Sequence, residues 1–388
     1  MELYGHQRNF CDTAPNKYLM AHGTGTGKTI TALAIAKKRA KSVLIICPKG
    51  IKSKWIKDAQ ILSVPYEIYT KEEFRKLHKS ILQYDAIIID EIHHFSSIRS
   101  QLHKSMLWYI KKQNPQFIWG LSATPYRREP FNIYALAKIL GHNWDYMNFR
   151  STFYFEKYFS ARPVWLPRTD KTTQDKLVKL LLKIADVVSY ENVAEMPPVN
   201  HIVEFIEQTT EQKTAIKKLE LTEANPLTFY LREHQIMSGI GSKSKKDERL
   251  LELAEESPKM AIFARYTAQI DAYKHLFPEA MIIDGRTVDK SFVAKKIESA
   301  DNGIILIQSD SAEGYELPSV HTAVFASMSY SYLAYVQSLG RFIRINANNK
   351  PKRFFYLITK GSIDEDVYKN IMKKQDFDLA LYTKNAIL

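Results

Sequence analysis

Cysteine is nearly absent from this 388-residue chain: only Cys11 and Cys47 are present. That excludes a disulfide framework and any cysteine-based zinc spacing, and it points to a reducing compartment. Long apolar runs are missing too, and none reaches the roughly 18–20 residues of a membrane span. The opening Met1-Glu2-Leu3-Tyr4 lacks the basic and apolar regions of a secretory signal. A cytoplasmic protein is therefore expected, in bacterial or phage-infected cytosol, with a nuclear one as the alternative. No short-period repeat and no low-complexity tail is visible. Negative charge is in deficit: 42 Asp and Glu against 55 Lys and Arg give a formal charge of +13 and a pI near 9.3. Such a surplus favours a polyanionic partner. Nucleic acid outranks membrane, because no strongly amphipathic basic helix with exposed aromatics stands out.

What is present begins with Gly23-Thr24-Gly25-Thr26-Gly27-Lys28-Thr29. An apolar run, Tyr18-Leu19-Met20-Ala21, precedes it, and a helical pattern from Ile30 to Arg39 follows. Strand, glycine-rich turn and helix start form the context in which backbone N–H groups and a helix N-terminus cradle phosphates. Lys28 would reach the β- and γ-phosphates of ATP, and the Thr29 hydroxyl would hold Mg²⁺. His22 stands where the usual pattern has its first glycine. Ala86-Ile87-Ile88-Ile89-Asp90-Glu91 then reads as a buried parallel strand with acids at its carboxyl end. Asp90 would bind the metal, and Glu91 would orient and deprotonate the attacking water. His93 and His94 are adjacent on one turn and point apart, which favours a polar relay over a metal site.

Elsewhere the first half alternates strands (Lys17–Ala21, Ser42–Cys47, Asp85–Asp90, Gln116–Leu121) with helices, which predicts a parallel sheet. After Pro125 the pattern becomes mostly helical to about Tyr190, and the aromatic group Phe153, Tyr154, Phe155, Tyr158, Phe159 and Trp165 reads as packing within helices rather than as a base-stacking surface. Met196-Pro197-Pro198 is a break. A second alternation follows, with strands expected at His201–Ile206, Met260–Phe263, Met281–Asp284, Ile304–Ser309, Thr322–Ala326 and Arg353–Thr359. The expected class is therefore α/β, with domains at 1–198, including a helical extension near 126–195, and at 199–388.

The order of further motifs extends this reading. Leu3-Tyr4-Gly5-His6-Gln7 precedes the phosphate loop. Leu44-Ile45-Ile46-Cys47-Pro48-Lys49 with Lys54-Trp55 follows it, then Gly120-Leu121-Ser122-Ala123-Thr124-Pro125. In the second half come Ala261-Ile262-Phe263-Ala264-Arg265-Tyr266, Ile283-Asp284-Gly285-Arg286-Thr287, Ser309-Asp310-Ser311-Ala312-Glu313-Gly314 and Gln337-Ser338-Leu339-Gly340-Arg341-Phe342-Ile343-Arg344. This series resembles superfamily 2 helicases over nearly the whole chain. It is most similar to the Swi/Snf-type DNA-dependent ATPases, in a compact form like phage or bacterial members. Glu313 and Glu316 depart from the small or amide residues usual in that group.

The resemblance implies two RecA-like domains in tandem with a nucleotide cleft between them and a small helical subdomain. It implies that Gln7 reads adenine and that Gly23, Thr24, Gly25, Thr26, Gly27, Lys28 and Thr29 bind ATP, with Mg²⁺ on Thr29 and Asp90. It further implies that Ser122, Thr124 and Gly314 couple the sites and that Gln337, Arg341 and Arg344 complete catalysis. A guanidinium can fork onto γ-phosphoryl oxygens, and two arginines three apart would share one face of a helix. Phosphate contacts from DNA are expected at Lys49, Ser53, Lys54, Arg265, Arg286, Thr287 and Ser311, with little sequence preference and strong salt dependence. The function expected is a double-stranded DNA translocase. Alternatives are a strand-separating or branch-migration helicase, an RNA helicase, and a nucleotide-gated DNA-binding protein of low turnover.

Overall fold

The computed structural model describes residues 3–125, 129–159, 162–188, 193, 197–311, 314–344 and 350–373. The chain divides into two compact units, Met1–Ala194 and Glu195–Leu388, each built on a six-stranded parallel sheet.

In the first unit the strands are β1 (Lys17–His22), β2 (Val43–Cys47), β3 (Tyr66–Thr70), β4 (Ala86–Ile89), β5 (Phe117–Leu121), the hairpin pair β6 (Tyr154–Phe159) and β7 (Arg162–Pro167), and β8 (Ala185–Val188). Six of them form one sheet in the order β3-β2-β4-β5-β1-β8, parallel throughout. The central strands β2, β4 and β5 are buried at every position, as strands covered on both faces must be. Their side chains alternate between two layers. Leu44, Ile46, Ile87, Ile89 and Ile118 face the layer holding Met106 and Tyr109 of helix Gln101–Gln113. Val43, Ile45, Cys47, Ile88 and Trp119 face the layer holding Ala32, Leu33 and Ile35 of helix Lys28–Arg39. The period of two thus splits one apolar run between two cores. Both cysteines are buried and unbridged, and burial pushes the Cys47 thiol up to about 12.

The strands expected at the centre are all present. The two edges, β3 and β8, were not anticipated: both are short and half-exposed, so neither shows the continuous apolar run that marks a covered strand. The extension after Pro125 contains the expected helices, Pro130–Ile139, Tyr146–Phe153 and Lys171–Ile184. It also corrects one expectation. Tyr154–Phe159 is not helical but pairs antiparallel with Arg162–Pro167. The aromatic spacing of three and four that suggested a helix is coincidental there: Phe153 ends a helix and packs in the core, whereas Tyr158 alternates outward and is 64% exposed. The Arg150 guanidinium lies over the Trp165 ring at 4.3 Å, fastening the hairpin to its helix.

The second unit repeats the plan with β9 (Val199–Ile206), β10 (Lys259–Ala264), β11 (Met281–Ile283), β12 (Gly303–Gln308), β13 (Thr322–Phe325) and β14 (Lys352–Thr359). Their order is β11-β12-β10-β13-β14-β9, again parallel throughout, and all six match the expected strand positions within a few residues. Beside its apolar core lies a buried polar knot. Lys246 Nζ donates to Asp364 Oδ2 at 2.6 Å and to the Ala326 carbonyl at 2.9 Å. The His234 Nε2 lies 3.3 Å from Asp364 Oδ1, and its Nδ1 meets the Tyr266 hydroxyl at 2.9 Å. The His234–Asp364 approach is a close contact only: Asp364 Oδ1 is buried without a hydrogen-bond partner among the described residues. No helix among the described residues is long and apolar enough to cross a membrane.

The knot makes this unit acid-sensitive. Burial pulls His234 down to about 4, against the opposing pull of Asp364 and with help from Arg265 and Lys246. An unfolded histidine takes up its proton near pH 6.5, so protons favour the unfolded chain throughout the window between the two values. The stability that His234 contributes is whole above about pH 6.5 and is lost as pH falls towards 4. Asp364, held below its ordinary value by Lys246 and His234 although burial pushes it up, adds a further loss at lower pH. Urea midpoints measured from pH 7.5 to 4 are expected to fall through this window in the native chain, and His234→Gln is expected to flatten that slope. An equally steep slope in the variant would contradict the assignment.

Candidate nucleotide and nucleic-acid sites

The carboxyl ends of β1, β4 and β5, adjacent in the first sheet, bring most first-unit candidates together. This is the edge at which parallel α/β sheets place ligands. The loop after β1 turns through two glycines in the left-handed region, Gly25 at φ 78° and Gly27 at φ 81°, and Gly27 leads into helix Lys28–Arg39. His22 is still part of β1, and its φ is not positive, so this position does not need a glycine. Its buried ring instead ties the loop to the sheet edge, with Nε2 meeting Asp186 Oδ2 of β8 at 2.7 Å. Burial lowers its pKa despite Asp186.

Gln7 is buried and clasps the loop from outside. Its side-chain amide donates to the Thr26 and Gly27 carbonyls at 3.2 and 3.4 Å, and its oxygen accepts from the Tyr4 N–H at 3.0 Å. A Cβ built on Gly27 would run into that amide. Lys28 reaches back over the loop, with Nζ 2.9 Å from both the His22 and Gly23 carbonyls. The inward-facing loop, the ammonium at its centre and the start of a helix suit a polyphosphate.

Asp90 follows β4 and is buried. Its Oδ2 accepts the Trp55 indole N–H at 2.7 Å and its Oδ1 accepts the Glu91 N–H at 2.9 Å. Burial raises its pKa, while Trp55, Lys28, the Glu91 N–H and Lys54 oppose that. No three His, Cys, Asp or Glu side chains among the described residues converge as a metal cage. Thr29 and Asp90 suit Mg²⁺, which keeps waters and phosphate oxygens in its shell. Glu91 has φ 48°, a strained setting for a side chain of its size, and its Oε2 lies 3.2 Å from His93 Nδ1. The same nitrogen is 2.9 Å from Ser122 Oγ, which accepts the Thr124 N–H at 3.1 Å. Glu91, His93, Ser122 and Thr124 therefore form one chain from β4 to β5. His93 is the link that a reading of motif residues alone leaves out of the site, although the adjacent histidines had suggested a relay.

On the rim of the same unit, Lys49, Ser53 and Lys54 are exposed around the start of helix Lys52–Ala59. In the second unit the candidates separate. Arg265, just past β10, stacks on Tyr330 at 3.6 Å, and its Nε is buried without a hydrogen-bond partner among the described residues. Arg286 is held by Asp284 and Asp271, at 2.6 and 2.7 Å, while the Thr287 hydroxyl closes the same turn on the Ile282 carbonyl and the Asp284 N–H. Ser311 is buried in a single turn after β12. Gly314 takes φ 88°. Glu313 lies outside the described residues.

The arginine pair departs from expectation. Helix Tyr332–Leu339 carries the buried Gln337 and stops at Gly340. Arg341 and Arg344 lie beyond its end, so they do not share a helical face. Arg341 donates to the Gln337 and Tyr315 carbonyls at 3.1 and 3.0 Å, and Arg344 pairs with Glu316 at 3.5 Å. The helix ends because the backbone N–H groups of Arg341 to Ile343 turn back onto Ser338 and Leu339.

The family model described as the type III restriction enzyme res subunit matches residues 57–127. A Xenopus tropicalis protein named as a SWI/SNF-related matrix-associated actin-dependent regulator of chromatin, subfamily A-like protein 1, is 22% identical over 94% of this chain and 43% of its own length. The Bacillus subtilis protein YqhH, named as an uncharacterized ATP-dependent helicase, is 26% identical over 35% of this chain and 28% of its own. The chain thus spans less than half the length of these relatives. Among solved structures, the Sulfolobus solfataricus SWI2/SNF2 ATPase core in complex with double-stranded DNA aligns with a TM-score of 0.46 at 15% identity, covering 99% of this chain and 92% of that one.

Gly27 offers a direct test of the loop geometry. Gly27→Ala places a Cβ in a left-handed backbone and against the Gln7 amide, and is expected to cost about 1–2 kcal/mol from conformation alone, plus the loss of the Gln7 clasp. Gly141→Ala has a similar φ of +84° with ordinary contact at 3.5 Å and bears only the first part. Urea unfolding should rank the Gly27 variant below the Gly141 variant; the reverse order would contradict the clasp.

Proposed function

We propose that this chain, a superfamily 2 helicase/translocase most like the Swi/Snf type, is an ATP-driven motor that moves along double-stranded DNA. The observation that carries the reading is the set of contacts by which His93 Nδ1 meets both Glu91 Oε2 and Ser122 Oγ, the latter accepting the Thr124 N–H, at the same sheet edge as the phosphate loop.

In this reading the loop Gly23–Thr29 wraps the phosphates, and Lys28 exchanges two carbonyl oxygens for phosphate oxygens. Thr29 and Asp90 would hold Mg²⁺, whose charge would offset that of the phosphates. Glu91 orients the attacking water and takes its proton, and His93 holds the Glu91 carboxylate in position. Gln7 positions the adenine and grips the loop at once. Gln337, Arg341 and Arg344 are assigned to the catalytic step, with the guanidinium groups meeting charge that grows on the γ-phosphoryl oxygens. For Arg341 and Arg344 this requires release from the Tyr315 carbonyl and from Glu316. Ser122, Thr124 and Gly314 couple hydrolysis to movement. Lys49, Ser53, Lys54, Arg265, Arg286, Thr287 and Ser311 meet DNA phosphates, which gives affinity without sequence information.

Steady-state ATP hydrolysis tests this, measured alone and with duplex DNA, single-stranded DNA and RNA at low and moderate salt. Duplex is expected to stimulate most, and the effect is expected to weaken steeply with salt. Stimulation by single strands or RNA instead would replace the duplex reading, and no stimulation by any polymer would end the motor reading. Glu91→Gln is expected to lower turnover by about 10²–10⁴-fold while ATP binding persists, since the phosphate cradle is intact. Lys28→Ala is expected to lose both.

A further inference from the structure

Building on the ATPase reading, we propose that Trp55 is a positioning residue through which contact of nucleic acid with the basic rim of the first unit reaches the metal-linked carboxylate Asp90. Helix Lys52–Ala59 has two faces. Ser53, Lys54 and Lys57 are exposed, whereas Trp55 is 1% exposed and Ala59 is fully buried. The buried indole N–H donates to Asp90 Oδ2 at 2.7 Å. The other carboxylate oxygen takes the Glu91 N–H at 2.9 Å, so each oxygen has one fixed donor and its torsion is set.

An indole N–H can only donate. It therefore holds one lone pair of Asp90 and leaves the others for a metal's water shell. Trp55 is bonded directly to Lys54 and follows Ser53 by two residues on the same helix. A shift of the helix backbone as Ser53 or Lys54 meets a phosphate displaces the indole and re-aims the carboxylate. This route lies on β2 and β4, separate from the Glu91–His93–Ser122 chain on β4 and β5. Any such coupling is reciprocal: Mg·ADP must change DNA affinity by the factor by which DNA changes Mg·ADP affinity.

Equilibrium binding tests it without turnover. The dissociation constant of a short duplex is measured with and without Mg·ADP, in the native chain and in Trp55→Phe, which keeps an aromatic ring but loses the N–H and part of the buried indole's volume. In the native chain Mg·ADP is expected to change duplex affinity by a factor of roughly 5–150. In Trp55→Phe this factor is expected to fall close to one, while duplex affinity without nucleotide stays within about twofold. Lys54→Ala, by contrast, weakens duplex binding in both conditions. If Trp55→Phe unfolds, 3-benzothienylalanine placed at position 55 by codon suppression keeps the indole's shape without its N–H and gives the same reading. The inference is overturned if the factor survives in either variant, or if nucleotide-free duplex affinity falls as far as the coupled affinity, which marks Trp55 as a prop for the helix only. A native chain that binds duplex and Mg·ADP independently also overturns it while leaving the ATPase reading standing. One that binds neither removes that reading and this inference with it.

Discussion

A carboxylate buried at the end of an apolar strand is the constraint around which the first unit is arranged. Asp90 follows four residues with no exposed surface, where an ionised group loses its hydration and must be held by hydrogen bonds or neutralised. The indole of Trp55 and the N–H of Glu91 provide those bonds, and Lys28 and Lys54 provide opposing charge. Each donor comes from a different part of the chain, so the phosphate loop, the basic helix and the acidic turn are bound to a common point. The backbone then turns at Glu91, directly after the buried carboxylate, with φ 48°.

The second unit treats its charged groups differently. Arg265 is stacked on a ring, Arg286 lies between two carboxylates, and Arg341 and Arg344 rest on backbone carbonyls and Glu316. Each guanidinium has a local acceptor or an aromatic face, so any role towards a ligand is an exchange of partners rather than the filling of a void. Such exchanges reduce the net gain of a new contact and sharpen its dependence on the ligand's charge and shape. Glu316, a departure from the related group, is one of those partners.

The central strands were legible because covered parallel strands need uninterrupted apolar runs, as in Val43–Cys47, Ala86–Ile89 and Met260–Phe263. The edges β3 and β8 were not, since half-exposed strands mix polar and apolar residues. The hairpin Tyr154–Pro167 was misread because aromatic spacing does not distinguish a helix from the junction of a helix with a strand. The arginine pair was misplaced because a helix end set by backbone turning at Gly340 leaves only a weak mark in the residues.

The sequence by itself determined which groups can do chemistry and in what order they occur, because the phosphate loop, the acids after β4 and the later motifs are local patterns of residue type. It also determined that the sheets are parallel, through strand and helix alternation. Tertiary structure alone decided who holds whom. That His22 needs no glycine and binds Asp186, that Trp55 orients Asp90, that His93 meets Ser122, and that Gln7 grips the loop all depend on distances between residues 19 to 164 positions apart. No local propensity encodes such distances; the register of parallel strands and the packing of helices on them do.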